Sequence, residues 1–220
     1  VSIDQVKSET QSKKASRVSG SDVSLGYRRI NQPDPFDLMD VAIFQFDIVL
    51  TVYLTENNEE PRFYAEIAVR AGSKHDPADA TGLAHYLEHL LFKGNQRLGT
   101  LDYQAEKPYL DRIVELYEEH FRETDDVRRA EIYAEINSVA QQAAEYAIPN
   151  EIDKLYNSMG GTALNAHTWY EETVYKVGLP SNRLKQWAEL ESDRFVNPVF
   201  RLFHTEPVSY THLRAHETDS

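Results

Sequence analysis

Hydrophobic and polar residues change their rhythm several times along the chain, and each change predicts an element. Residues 1–40 hold no sustained period: Val1 to Asp22 is rich in Ser, Lys and Asp, and Gln32-Pro33-Asp34-Pro35 is a cluster of chain breakers. This stretch reads as a loose N-terminal arm. From Ala42 the texture turns to β-branched and aromatic residues. Ile43 to Leu54 and Arg62 to Arg70 read as two strands joined as a hairpin by the polar turn Thr55 to Pro61. Gly72 to Asp79 is a loop with Asp76-Pro77 as its turn signal. Thr81 is then placed to cap a helix reaching Lys93, with Gly94 suited to the left-handed position past its end. Leu83, Ala84, Leu87, Leu90, Leu91 and Phe92 make that helix apolar on more than one face, which predicts a buried helix.

The second half of the chain is helical first and extended later. Leu101 to Ile148 predicts a helical hairpin, with Leu110, Ile113, Val114, Tyr117 and Phe121 in one arm and Ile132, Ile136, Val139 and Ala143 in the other at 3/4 spacing. Thr124-Asp125-Asp126 breaks the pattern and caps the second arm, and Pro149 ends it. After Gly160-Gly161, Ala163–Trp169 and Thr173–Val177 alternate as short strands. Ser181 or Asn182 then caps a helix carrying Leu184, Trp187, Leu190 and Phe195, which ends before Asn197-Pro198, and a further helix is expected from about Val199. The elements add up to an α+β fold, an antiparallel or mixed sheet packed on helices, with the hairpin at about 101–148 as an insert.

Composition removes several classes of function. There are 220 residues, with 23 Lys+Arg against 36 Asp+Glu and a formal net charge of −13. So acidic a surface opposes non-specific binding to nucleic acid or anionic lipid, which need a field of the opposite sign. Hydrophobic residues at 41% and charged ones at 27% are those of an ordinary globular protein. No stretch reaches the roughly 18 apolar residues of a membrane span. The chain opens at Val1 and shows no charged n-region before an apolar h-region, so no targeting segment is read from it. The absence of cysteine excludes disulfides, thiolate metal sites and cysteine nucleophiles. Any metal must be held by His and carboxylate.

One motif supplies that set. In His85-Tyr86-Leu87-Glu88-His89 the two histidines stand at i and i+4, one turn apart on one helix face, so both imidazoles can converge on a single cation. Glu88 projects from the adjacent stripe, within reach of the open side of such an ion, where a general base acting on water belongs. This is the H-x-x-E-H order of the inverzincins. Two imidazoles and a carboxylate in one apolar helix are costly to bury without a shared partner, and a metal is one. A catalytic zinc site takes a third protein ligand and keeps its fourth position for water. His75 in a loop and His120 on a polar helix face read as surface residues, and His204 is ambiguous.

Thr81-Gly82-Leu83-Ala84-His85-Tyr86-Leu87-Glu88-His89-Leu90-Leu91-Phe92-Lys93-Gly94 resembles the signature of the M16 family of metallopeptidases, the relatives of pitrilysin, insulinase and the mitochondrial processing peptidase. Ile67 to Ser73 resembles the family's strand before the zinc helix, Leu164-Asn165-Ala166-His167-Thr168 its substrate-edge strand, and the helical hairpin with Asp193-Arg194-Phe195 to Glu206 its longer bacterial members. The resemblance covers about residues 49–206. It implies that His85 and His89 bind Zn2+, that Glu88 activates water for peptide-bond hydrolysis, and that Asn165 and Ala166 lie on an edge strand to which an extended peptide adds by β-augmentation. It implies that Glu206 matches the acidic residue two helical turns before the family's third ligand. Family members enclose a peptide between two halves, so a second half, in the same full-length chain or a partner subunit, is implied, with this chain alone weak or inactive. Bacterial members are often exported, which implies the periplasm or beyond.

The resemblance fails at two places. Seven positions beyond Glu206, where the family has a ligand Glu, this chain has Leu213, and Pro207 is poorly suited to the ligand helix. Residues 207–220 resemble a peptide that recurs at the ends of unrelated translated sequences where adapter has been read as protein, so the native sequence is expected to end at Glu206, with an M16-like domain over 41–206. His212 and His216, with Glu217 alongside, are spaced for a metal but have no apolar face to anchor them. Upstream, Phe46-Asp47-Ile48-Val49 stands where the family usually has an Asn-Gly turn, which puts residues 1–48 in question. Two other classes share the pattern in part: a non-catalytic M16-like partner or scaffold subunit, which the intact His85/Glu88/His89 set opposes, and a lyase of the S-ribosylhomocysteine type, whose H-x-x-E-H site is completed by a cysteine this chain lacks.

Overall fold

Strand Thr173–Pro180 is inaccessible along nearly its whole length, because it is the middle strand of its sheet with neighbours on both sides. In the computed structural model, which describes residues 26–32, 34 and 36–203, the chain divides into two compact units, residues 1–61 and 62–220. In the first, β1 (Tyr27–Arg29), β2 (Ala42–Phe46) and β3 (Thr51–Leu54) form an antiparallel sheet in that order. In the second, β4 (Arg62–Val69), β5 (Thr162–Thr168) and β6 (Thr173–Pro180) form another, in the order β4-β6-β5, again antiparallel throughout. Five helices complete it: α1 (Leu83–Leu91), α2 (Tyr103–Arg122), α3 (Asp126–Ala144), α4 (Glu151–Ser158) and α5 (Leu184–Val196). The architecture is the expected α+β class, with antiparallel sheets and a helical hairpin.

Strand pairing departs from the sequence pattern. β3 takes β2 as its partner and β4 takes β6, where the pattern predicts a hairpin between the third and fourth strands. The run Ile43 to Leu54 does not stay extended: at Asp47–Leu50 the chain folds back, closed by the Phe46 N–H donating to the Leu50 carbonyl at 3.0 Å. Period-2 alternation says which face a residue takes but not which strand lies beside it. β5 and β6 do form a hairpin, with the Trp169 N–H donating to the Glu172 carbonyl at 2.7 Å across its tip. Ala163 has φ 53° at an irregularity in the β5 register between Thr162 and Asn165. That is the local geometry of a bulge.

The side of β6 bearing Val177 and Leu179 meets Ile152 and Tyr156 of α4 and Leu190 of α5, and Phe63, Phe92, Leu164 and Trp187 close around them. α4 was not expected, since Pro149-Asn150 reads as a stop, although Ile152, Leu155 and Tyr156 do carry helical spacing. The hairpin of α2 and α3 has its own core of Ile113, Leu116, Ile132, Ile136, Ala140 and Ala143. Asp102 caps α2 by accepting from the Gln104 and Ala105 N–H groups, and Asp125 caps α3 by accepting from Arg128 N–H. Val114 and Phe121, expected in that core, are exposed. The 3.6-residue turn carries them past the face that α3 covers. His120 is half-buried against the exposed Tyr133 ring, and His75 is exposed. α5 follows a short 3-10 turn at Ser181–Arg183 and has no side-chain cap, unlike the Ser181 or Asn182 cap expected.

After β4, the backbone of Gly72–Lys74 lies along the β5–β6 tip, with Ser73 N–H donating to Trp169 O and Lys74 N–H to Tyr170 O, each at 3.0 Å. A Cβ on Gly72 would come within 2.2 Å of the Trp169 carbonyl oxygen, so only glycine permits the approach. The N-cap position of α1 is Gly82, and Asp76 of the preceding loop, not Thr81, satisfies the helix start: its two carboxylate oxygens accept from Gly82 N–H at 2.7 Å and Ala84 N–H at 2.8 Å. A carboxylate there also meets the positive end of the helix dipole. Asp76→Ala is expected to lower stability by about 1 kcal/mol, within the ~0.5–2 kcal/mol seen for lost caps, read from the shift of the urea midpoint. A change below a few tenths would show the cap to be dispensable.

Among the described residues no helix is long and apolar enough to cross a membrane. His204, Glu206, Leu213, His212, His216 and the expected tail 207–220 lie outside the described residues, as do residues 1–25 and most of the helix expected from Val199.

Candidate metal centre

α1 lays its inward side on β5 and β6, and part of its other side is exposed. Glu88, 6% exposed, and Leu90 are its buried residues, while Leu83 and Leu87, one turn apart, are 37% and 38% exposed. The helix predicted to be buried is thus half-buried, because the sheet covers one face and leaves the stripe of Leu83 and Leu87 partly exposed. His85 and His89 stand half-buried at the boundary.

Their ring planes cross at 63° with centroids 4.7 Å apart, and the two Nε2 atoms approach to 3.0 Å. One atom from each of His85, Glu88 and His89 lies within 4.8 Å of the others, the one such group able to hold a metal among the described residues. Two nitrogens bound to one tetrahedral zinc at ~2.0–2.1 Å would stand about 3.3 Å apart. The observed spacing is close to that, and the donor types suit the ion. Burial pushes the His85 imidazole below its ordinary pKa; Glu88 opposes this shift and His89 adds to it. The neutral ring keeps a lone pair available near pH 7, the form a ligand requires.

Behind Glu88 stands a residue that the motif does not contain. Thr168, the last residue of β5, places its Oγ1 2.5 Å from Glu88 Oε2 and 3.2 Å from Thr173 Oγ1, and Thr173 in turn donates to the Ala71 carbonyl at 2.8 Å. Thr168 and Thr173 are register partners across the β5–β6 hairpin. Asn165 pairs with Lys176 and Ala166 with Tyr175, so these two neighbours take opposite faces of β5. β5 is an edge of its sheet, Asn165 is exposed and Ala166 half-buried. The strand alternation that puts Ala166 and Thr168 on one face was the signal available for Thr168.

The turn after α1 is held by a second set of residues absent from the motif. Arg201 is buried and pairs through Nε and Nη2 with both oxygens of buried Glu106, at 2.9 and 3.1 Å. It also donates to the carbonyls of Lys93, Asn95 and Leu98 at 2.8–2.9 Å. Gly94 has φ 107°, as expected past the helix end, and a Cβ there would sit 2.1 Å from Leu98 O and 2.8 Å from Arg201 Nη1. Arg194, deeper in the same unit, pairs with Glu191 and lies 4.8–5.1 Å from the centres of the Phe92, Tyr175 and Phe195 rings, while Tyr156 hydrogen-bonds the same Glu191.

Residues 51–106 match the family model described as Insulinase (Peptidase family M16). That stretch is similar to the M16 family. The matched stretch contains all of α1, with His85, Glu88 and His89, and ends at Glu106, the partner of Arg201. Among solved structures, the crystal structure of pitrilysin is similar at 17% sequence identity and a TM-score of 0.49, over 79% of this chain and 14% of that one. The chain therefore spans only a small part of that protein's length. A search of curated proteins found no match.

Proposed function

We propose that this chain is part of the zinc-bearing half of an M16-type metalloendopeptidase, with His85 and His89 as metal ligands and Glu88 as general base. The reading is carried by the convergence of His85, Glu88 and His89 on one space beside an edge strand, within the segment that matches the peptidase family. When bound, zinc would act as a Lewis acid that makes water acidic and polarises a peptide carbonyl. Glu88 takes the proton from the attacking water and delivers it to the departing amine as the C–N bond breaks. Asn165 and Ala166 hold an extended peptide along β5, whose outer edge offers backbone groups to an added strand. The chain supplies two protein ligands, and a third, with a second M16-like half enclosing the peptide, completes the site in the full-length protein. The M16-like domain over 41–206 and the placement of Glu206 near the missing ligand belong to this proposal. The fragment alone is inactive on this reading.

Metal analysis of the full-length protein tests it. About one zinc per chain is expected, lost on His85→Ala with folding retained by circular dichroism. A metal-free protein, or one in which His85→Ala keeps its zinc, would sink the ligand assignment.

A further inference from the structure

Glu88 is an acceptor on both oxygens when ionised, and the torsion that sets its carboxylate plane is a soft sp³–sp² one. Something outside α1 must hold that plane if the group is to meet water in one orientation. The structure supplies a short chain of hydroxyls for the task. Thr173 has a single hydroxyl proton and directs it to the Ala71 carbonyl at 2.8 Å. That bond anchors Thr173 to the end of β4. Thr168 likewise has one proton, and of its two neighbours the carboxylate oxygen at 2.5 Å is closer and charged, whereas Thr173 Oγ1 lies at 3.2 Å. The proton therefore goes to Glu88 Oε2 in a charge-assisted bond. The β5–β6 register brings the two threonines opposite each other, so the hydroxyls and the carboxylate form a row leading from the sheet to the metal face of α1.

We infer that Thr168 is a positioning residue for Glu88. It ties Oε2 to the sheet and leaves Oε1 to receive the proton from water, while Thr173 keeps the Thr168 side chain in the rotamer that does so. The inference rests on the proposed role of Glu88 as base. It also assigns a use to the edge strand beyond holding peptide: the last residue of the strand sets the direction in which the base works. Val at 168 preserves shape and β-branching and removes only the hydroxyl; Ser preserves the hydroxyl and removes the methyl.

The experiment uses the full-length zinc-loaded protein and a peptide substrate, with a second readout on the metal-free protein. Thr168→Val is expected to lower kcat by about 10–100-fold, the range for supporting contacts around a metal site, with KM and zinc content unchanged. Thr168→Ser is expected to recover kcat to within a few-fold. In the metal-free protein, Thr168→Val and Glu88→Ala combined are expected to shift the urea midpoint by less than the sum of their separate shifts, as for residues in direct contact. Full kcat in Thr168→Val, failure of Ser to rescue, or additive midpoints would each overturn the positioning role. The first of these, with Glu88→Gln inactive, would leave the base assignment standing. An unsubstituted protein that cleaves no peptide, despite coupled midpoints, would overturn the base assignment and the positioning role with it.

Discussion

Glu88→Gln in the full-length protein is expected to reduce peptide hydrolysis by about 10²–10⁴-fold in kcat, the contribution typical of a positioned general base, while zinc content and KM stay as they are. Gln has the shape of Glu, and its amide oxygen still accepts from the Thr168 hydroxyl, which stands 2.5 Å from the carboxylate in the native side chain. The helix and its seat on the sheet are therefore preserved. What is lost is the capacity to take a proton. Neutralising a buried carboxylate also removes a desolvation penalty, so the variant should be at least as stable as the parent. Single-turnover hydrolysis with metal content measured on the same sample decides the matter. Turnover within tenfold of the parent would place the base on another residue.

Arg201→Ala is expected to lower the unfolding free energy by ~3–5 kcal/mol, the usual consequence of removing one partner of a buried ion pair. Glu106 would be left as an uncompensated carboxylate with essentially no access to water. Three carbonyls in the turn after α1, those of Lys93, Asn95 and Leu98, would lose a charged donor at the same time. Lys is not expected to rescue, because one ammonium cannot reproduce a planar fork that serves two carboxylate oxygens and three carbonyls. Glu106→Gln should be milder, since the amide oxygen still accepts from the guanidinium. Denaturant unfolding of the three variants tests this. A loss below about 1 kcal/mol for Arg201→Ala would show that the network is better solvated than its burial implies. The turn it holds leads directly out of α1, so the same variant should also weaken metal retention, through a frayed helix end.

The helical hairpin was legible to within a few residues, because Leu110, Ile113, Ile132 and Ile136 repeat at helical spacing and Thr124-Asp125-Asp126 marks the start of the second arm; the Asp102 cap of the first is seen only in the structure. The two strands of the β5–β6 hairpin were legible from their alternation, whereas their pairing with each other and with β4 was not. Where the reading failed, the missing information was non-local. Nothing in Thr51–Leu54 or Arg62–Val69 tells that each pairs elsewhere, since alternation records only the presence of a covered face. α1 was read as buried from its leucines, yet burial depends on what lies opposite Leu83 and Leu87, which the leucines themselves do not encode. Its cap was misassigned to Thr81 for a related reason: Asp76 reaches Gly82 and Ala84 only because the loop after Gly72 is pulled against Trp169 and Tyr170.

The sequence by itself determined the grouping of His85, Glu88 and His89, because residues one turn apart on a helix are brought together by local backbone geometry, whatever the rest of the chain does. Lack of cysteine settled in the same way that this chain has no thiolate to offer a metal. Only the tertiary structure decided what stands around that group. Thr168 is 80 residues from Glu88 and Arg201 95 residues from Glu106, and each meets its partner through strand register and loop packing that no local period encodes.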